Sequence, residues 1–243
     1  MSTAARVTLE PAWLLHVRPW RDTSVLIEAF TRDHGRVGLV GRGVRGPRGR
    51  WRGLLQPLQP LLVSWSGRGE LVGLNACEPA GQAVVLRDEP LMSAWYLNEL
   101  LMRLLQRHDA HPQLFAAYGE ALAALHERAG VALRLFEKRL LDALGWGAAY
   151  DQAADDGSPV VASARYGFSA DRGVLALGGG DLEVDGRTLL ALAAERFPDD
   201  QTAIAARSVL RLALAPHLGG RPLHSRELLK AWRVQRGMMA RDG

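Results

Sequence analysis

The sequence predicts an α+β protein: a small β-barrel over residues 1–80, then a mainly helical region over residues 81–243 with a short irregular β and loop insertion at about 146–185. Three observations predict it. Short apolar runs separated by Gly, Pro and Asp turns crowd the first 80 residues. From Glu89 onward the apolar residues recur at helical spacing. Between Trp146 and Asp185 that spacing is lost, and Gly, Asp, Ala and Ser dominate. A chain of 243 residues, 48% hydrophobic and 23% charged, is long enough to bury a substantial core and has an ordinary globular composition.

The elements follow in order. AWLLHV (Ala12–Val17) is a short apolar run, and SVLIEAF (Ser24–Phe30) alternates in the manner of a strand. The turn TRDHG leads into RVGLVG (Arg36–Gly41), which makes Ser24–Gly41 a hairpin. LLQPLQPLLVSW (Leu54–Trp65) carries Pro57 and Pro60, so its first half is a strand entry or an edge. The turn SGRG and the run ELVGLNACE complete about five strands, the size and strand number of an OB-fold barrel. A first helix places Leu91, Trp95, Leu97, Leu101, Leu104 and Leu105 on one side; a second starts at Pro112; a third runs from Val131 to Leu144 and ends at Gly145. In the insertion, Val160, Val161, Tyr166 and Phe168 are the candidate small core. Helices resume at Thr188–Arg196, Thr202–Leu218 and Ser225–Arg236, with Asp199 or Asp200 as a cap.

Charge is unevenly spread. Net charge is +4, yet residues 1–70 carry 11 Arg against 5 acids, and no acid occurs between Asp33 and Glu70. Within that window lies GRGVRGPRGRWRG (Gly41–Gly53), with five Arg, five Gly and one Trp. Five guanidiniums on one loop repel each other, and a polyphosphate partner relieves that repulsion. Arg42, Arg45, Arg48, Arg50 and Arg52 are therefore candidate nucleic-acid contacts, and Trp51 is a candidate base-stacking ring, with packing into the barrel as its alternative role. A second basic region follows position 220, with Arg221, Arg226, Lys230, Arg233, Arg236 and Arg241 against Glu227 and Asp242.

Catalytic signatures are missing. There is no GxxxxGK[ST] and no GxSxG, and LALGGGD lacks the spacing of a dinucleotide fingerprint. The lone Cys77 excludes an internal disulfide and multi-cysteine zinc motifs, and a buried strand position is its expected place. No apolar run is long enough to span a membrane, and MSTAARVTLEPAW has no apolar export core, so a cytoplasmic protein is expected.

Several segments, taken together in their order, resemble the RecO family of bacterial recombination mediators: HVRPWRDTSVLIEAFTRDHGRVGLVGRGVR, LLQPLQPLLVSWSGRGEL, WYLNELLMRLL, ALRLFEKRLLDALGWG, ERFPD and HLGGRPLHSRELL. The resemblance covers nearly the whole chain. It implies an N-terminal OB fold and a helical C-terminal domain. It implies binding of single- and double-stranded DNA, annealing of complementary strands, and assistance in loading RecA onto DNA coated with single-stranded DNA-binding protein (SSB), with RecR as partner and without cofactor or catalytic site. The family's basic barrel surface falls on Arg36, Arg42 and Arg45, continued by Arg48, Arg50 and Arg52. Its site for the acidic SSB tail falls on Arg134; beside it we read Arg139 as an extension of the basic rim, and Leu97, Leu101 and Phe136 as candidate pocket walls, with helix core as the alternative role of each. Some relatives carry a four-cysteine zinc site after the third helix; Trp146–Asp171 holds no Cys, so no zinc is expected here.

Two other classes compete. An RNA-binding or ribosome-associated barrel would use the same Arg/Gly loop. A magnesium-dependent nuclease needs clustered acids, and the acids concentrate in Trp146–Asp200, away from the basic loop in sequence.

Overall fold

The computed structural model of the chain describes residues 5–46, 49–51, 53–176 and 179–239. Five strands form a closed barrel: β1 (Ala5–Trp20), β2 (Ser24–Thr31), β3 (Gly35–Gly41), β4 (Pro60–Gly67) and β5 (Leu71–Pro79). Their order is β1-β2-β3-β5-β4, closed by β1 on β4. Only β3 and β5 run parallel. This is the OB-fold arrangement.

Closure depends on β1. Its 16 residues are long enough to pair with β2 through the C-terminal part and with β4 through the N-terminal part. Register shifts between Val7 and Glu10 and between Leu14 and His16 bend it around the barrel, as bulges do. Sequence alone starts this strand at Ala12, where the apolar run AWLLHV begins. At the first bulge Leu9 takes φ 51° and its amide donates to the Ser64 hydroxyl at 3.0 Å, so the strand continues through it. Leu14, Ile27, Ala29, Val37, Leu39 and Val63 fill the interior. Cys77 lies among them, and burial pushes its thiol up to about 11, which makes it an inert apolar group.

The chain divides into two compact units: residues 1–115 with 224–243, and residues 116–223. The barrel thus shares its compact unit with α1 (Asp88–Leu104) and with α5 (His224–Met239). Two polar clusters account for this. Glu28 of β2 is buried and accepts from Arg36 of β3 at 3.1 Å and from Arg107, just past α1. Glu99 of α1 accepts from the amides of His224 and Ser225, each at 2.9 Å, and from the Ser225 hydroxyl at 2.7 Å. A carboxylate distant in sequence therefore satisfies the free amides that open α5.

Burial pushes the Glu99 carboxyl up, but the Ser225 and His224 donors and Arg103 outweigh it and hold it below its ordinary value. The stabilisation from a lowered folded pKa is fully present above the unfolded value and is lost as pH falls through the folded one. Amide exchange in α5 should accordingly accelerate below about pH 4, ahead of exchange in the barrel. Glu99→Gln should bring the same acceleration at neutral pH.

In the second unit, α2 (Pro112–Ala143) holds the two helices expected from sequence, joined without a loop at Arg128, whose φ −141° and ψ 58° break the helix. The Arg128 guanidinium donates to the Phe197 carbonyl at 3.1 Å. The insertion is a three-stranded sheet of β6 (Arg165–Ser169), β7 (Gly173–Leu175) and β8 (Leu182–Asp185), with β6 central. Val160, Tyr166 and Phe168 are buried as expected; Val161 is not, with 53% of its surface exposed. Its amide donates to the Tyr166 hydroxyl at 2.8 Å, so the backbone of Val161, not its side chain, serves that small core. Asp185 caps α3 (Gly186–Ala193), and Asp199 caps α4 (Asp200–Leu214) by accepting from Thr202. Pro216 turns the end of α4 into a 3₁₀ turn at Ala215–Leu218, closed by Gly219 at φ 62°.

Candidate nucleic-acid interface

The Arg/Gly loop after β3 is anchored rather than loose. Val44 and Leu55 are buried in the barrel core, and Trp51 packs against it. Gly49 is required: a Cβ there would lie 1.9 Å from the Val44 carbonyl oxygen. With its apolar residues turned inward, the loop holds Arg42, Arg45 and Arg50 in solvent. The Arg50 guanidinium lies 5.8 Å from the Trp51 ring centroid. Arg48 and Arg52 lie outside the described residues.

Two basic segments meet here that are apart in sequence. The Arg45 amide donates to the Thr23 carbonyl at 2.8 Å, and its guanidinium donates to the Arg21 carbonyl at 3.4 Å. The loop is thereby tied to the β1–β2 turn, where Arg18 and Arg21 are exposed. Trp20 and Arg21 line the same cleft as Arg42, Gly43, Leu71 and Val72, an opening of about 450 Å³. None of Arg18, Arg21, Arg42, Arg45 and Arg50 forms an ion pair with a carboxylate among the described residues. The one acid of the β1–β2 turn, Asp22, is exposed. Sequence reasoning missed Arg18, Trp20 and Arg21. The signal was RPWR at the end of the first strand, a basic and aromatic cluster like that of the second loop.

Arg36 is elsewhere. Its side chain is held between Glu28 and the Leu105 carbonyl, which accepts from Nε at 3.2 Å. It ties β3 to the chain after α1 and stands outside the cationic group.

The tail-site residues are mostly interior. Arg134 is 4% exposed and donates to Glu137 at 2.9 Å, one helical turn away. Phe136 packs edge-on against Tyr118, with centroids 6.0 Å apart. Leu97 and Leu101 are fully buried in the first unit, as helix core. Arg139 alone reaches the surface, donating to Glu120 at 2.6 Å and Glu195 at 2.8 Å. Burial pushes the Glu195 carboxyl up, but Arg139 and Lys138 outweigh that and keep it below its ordinary value.

Among the described residues, no group of three or more His, Cys, Asp or Glu is placed to hold a metal ion. No described helix is long and apolar enough to cross a membrane.

Fold and cleft together define an OB-fold protein with a cationic, Trp-bearing mouth at one end of its barrel. The comparisons make the class specific. Residues 6–83 match the family model described as "Recombination protein O N terminal", and residues 89–227 match "Recombination protein O C terminal". The chain is 47% identical to the DNA repair protein RecO of Alkalilimnicola ehrlichii, over 93% of this chain and 92% of that protein. It is 44% identical to the DNA repair protein RecO of Aromatoleum aromaticum, over 95% and 98%, and 45% identical to that of Methylococcus capsulatus, over 93% and 95%. The chain belongs to the RecO family, which places it among the proteins of DNA repair and recombination.

Proposed function

We propose that this chain is a non-catalytic mediator of DNA repair and recombination. It binds single- and double-stranded DNA at the barrel mouth, anneals complementary strands, and helps RecR load RecA onto SSB-coated single strands. One observation carries the DNA contact: five exposed guanidiniums without carboxylate partners among the described residues come from two segments joined by Arg45, and two of them, Arg21 and Arg42, line one cleft of an OB barrel. Phosphates supply the counter-charges, and the glycines of the loop permit close approach. Annealing needs no bond made or broken, only two backbones whose repulsion is screened on one cationic surface.

A fluorescence annealing assay on SSB-coated complementary strands tests the whole reading. The wild-type chain should accelerate pairing, and the Arg42→Glu/Arg45→Glu variant should not. Equal rates with and without protein would overturn it. Matched RNA competing tenfold better than DNA would point to the RNA-directed alternative.

The expected contact with the SSB tail falls on Arg134, Arg139, Phe136, Leu97 and Leu101. Arg134 and Phe136 in the second unit and Leu97 and Leu101 in the first are interior, so a tail would reach them only through local opening of the helices, and Arg139, 34% exposed, would have to exchange Glu120 and Glu195 for the tail carboxylates. Arg134→Glu would set two buried carboxylates side by side, so Arg134→Met is the cleaner probe. It should weaken binding of an SSB tail peptide while leaving naked-DNA affinity within about twofold, an indifference expected of a buried side chain that offers phosphate no contact. Thermal melting should be read in parallel.

A further inference from the structure

We propose that Trp20, and not Trp51, is the ring on which an unpaired DNA base stacks at the barrel mouth, so that Trp20 sets the preference for single over double strands. The inference rests on the proposed DNA contact at this cleft and names the residue that reads strandedness there.

Trp20 is the last residue of β1 and pairs in register with Ser24 across the three-residue turn. That position puts a large ring at the rim, where it is half-buried and lines the cleft. At about 450 Å³ the cleft falls within the roughly 300–1,000 Å³ of ordinary ligand clefts. Around the ring stand Arg18, Arg21 and Arg42, with the Arg18 guanidinium 5.7 Å from its centroid. Gly43, which also lines the cleft, takes φ 70° and has nothing within 4 Å of a notional Cβ, so space is open there. Leu71, 43% exposed, adds an apolar surface beside it. A half-exposed aromatic ring among cations is the composition of a single-strand platform: the ring takes the base face and the cations take the phosphates.

Trp51 has a different surrounding. It packs against the barrel core beside Val44 and Leu55, and Arg50 leans toward its ring. It is half-buried like Trp20, but its contacts go to the barrel core, where they anchor the loop, and it does not line the cleft. A duplex hides its base faces in its own stack, so a stacking ring adds nothing to duplex affinity, whereas the guanidiniums serve both forms.

The test measures affinity for a single-stranded oligothymidylate and for a duplex of equal length. Trp20→Leu should lower single-strand affinity about tenfold or more, leave duplex affinity unchanged, and keep the salt slope of both. Trp20→Phe should recover most of the loss. Trp51→Phe should change neither. Unchanged single-strand affinity in Trp20→Leu, or equal loss on both substrates at an unaltered melting temperature, would overturn the proposal. Should Trp20→Leu fail to fold, photo-crosslinking of a 5-iodouracil oligonucleotide to the wild-type chain decides: attachment at Trp20 supports the proposal, and attachment at Trp51 overturns it. Failure of the underlying DNA contact looks different, because Arg42→Glu/Arg45→Glu would then leave both substrates bound as tightly as before.

Discussion

Reversing Arg42, Arg45 and Arg50 to Glu should lower DNA affinity at about 0.1 M salt by two orders of magnitude or more. The magnitude follows from counterion release. Each phosphate left without its guanidinium takes about 0.9 off the salt slope on duplex DNA and about 0.7 on a single strand, so three such phosphates take off about 2.7 and 2.1 respectively. The fold should survive, because all three side chains are exposed and none is in an ion pair among the described residues. Arg45 is the partial exception: its guanidinium reaches the Arg21 carbonyl at 3.4 Å, a long and exposed bond whose removal costs little. The control is Arg36→Gln. Arg36 belongs to the Glu28 cluster, so that variant should lose stability with the salt slope intact. Titrations of labelled oligonucleotide over a series of salt concentrations, with circular dichroism on each variant, check both statements. A slope unchanged in the triple variant would remove the barrel mouth as the phosphate-binding surface.

The second large effect concerns stability. Glu28→Ala should destabilise the first unit by about 3 kcal/mol or more, the cost of leaving buried charges unpaired. Glu28 is 8% exposed, and its two oxygens serve Arg36 and Arg107 separately. Removing the carboxylate leaves two half-buried guanidiniums facing each other. Gly38 constrains any relaxation: a Cβ there would meet the Arg107 guanidinium, the Glu70 carbonyl and Leu71 within 2.8 Å, so the space is already full. In a domain of this size the shift is about 6–12 °C in melting temperature. Calorimetry on Glu28→Ala and on the isosteric Glu28→Gln distinguishes charge from packing. Gln keeps the volume but donates where it should accept, and should lose nearly as much. A loss under about 1 kcal/mol in both would mean the cluster is solvated and of surface strength.

Much of the barrel is legible in the sequence because strand signals are local. Alternation in Ser24–Phe30, the turn before Arg36 and the Ser66–Gly69 turn each act over a few residues, and β2 through β5 stand close to where those signals put them. The full length of β1 is not legible, because only Ala12–Val17 carries a local apolar signal and the rest of the strand is set by pairing with β2 and β4. The helices after Glu89 and the caps at Asp199 and Gly145 are legible for the same local reason. The site is legible in part. Composition singles out Gly41–Gly53, but it does not tell an Arg left without a carboxylate from one tied to a neighbouring element, as Arg36 is through Glu28 and the Leu105 carbonyl. Nor does spacing show Arg18, Trp20 and Arg21 beside that loop, since the hydrogen bond from Arg45 spans 24 residues.

By itself the sequence determined the element types, the basic bias of the first 70 residues and the family, because propensity, periodicity and charge are properties of neighbours along the chain. Only the tertiary structure decided which cations share a cleft, which ring lines it and which acid holds the barrel to α1. Those outcomes depend on strand pairing and burial between residues far apart in sequence, where a guanidinium given a carboxylate is a structural tie and one left without is free to take a phosphate.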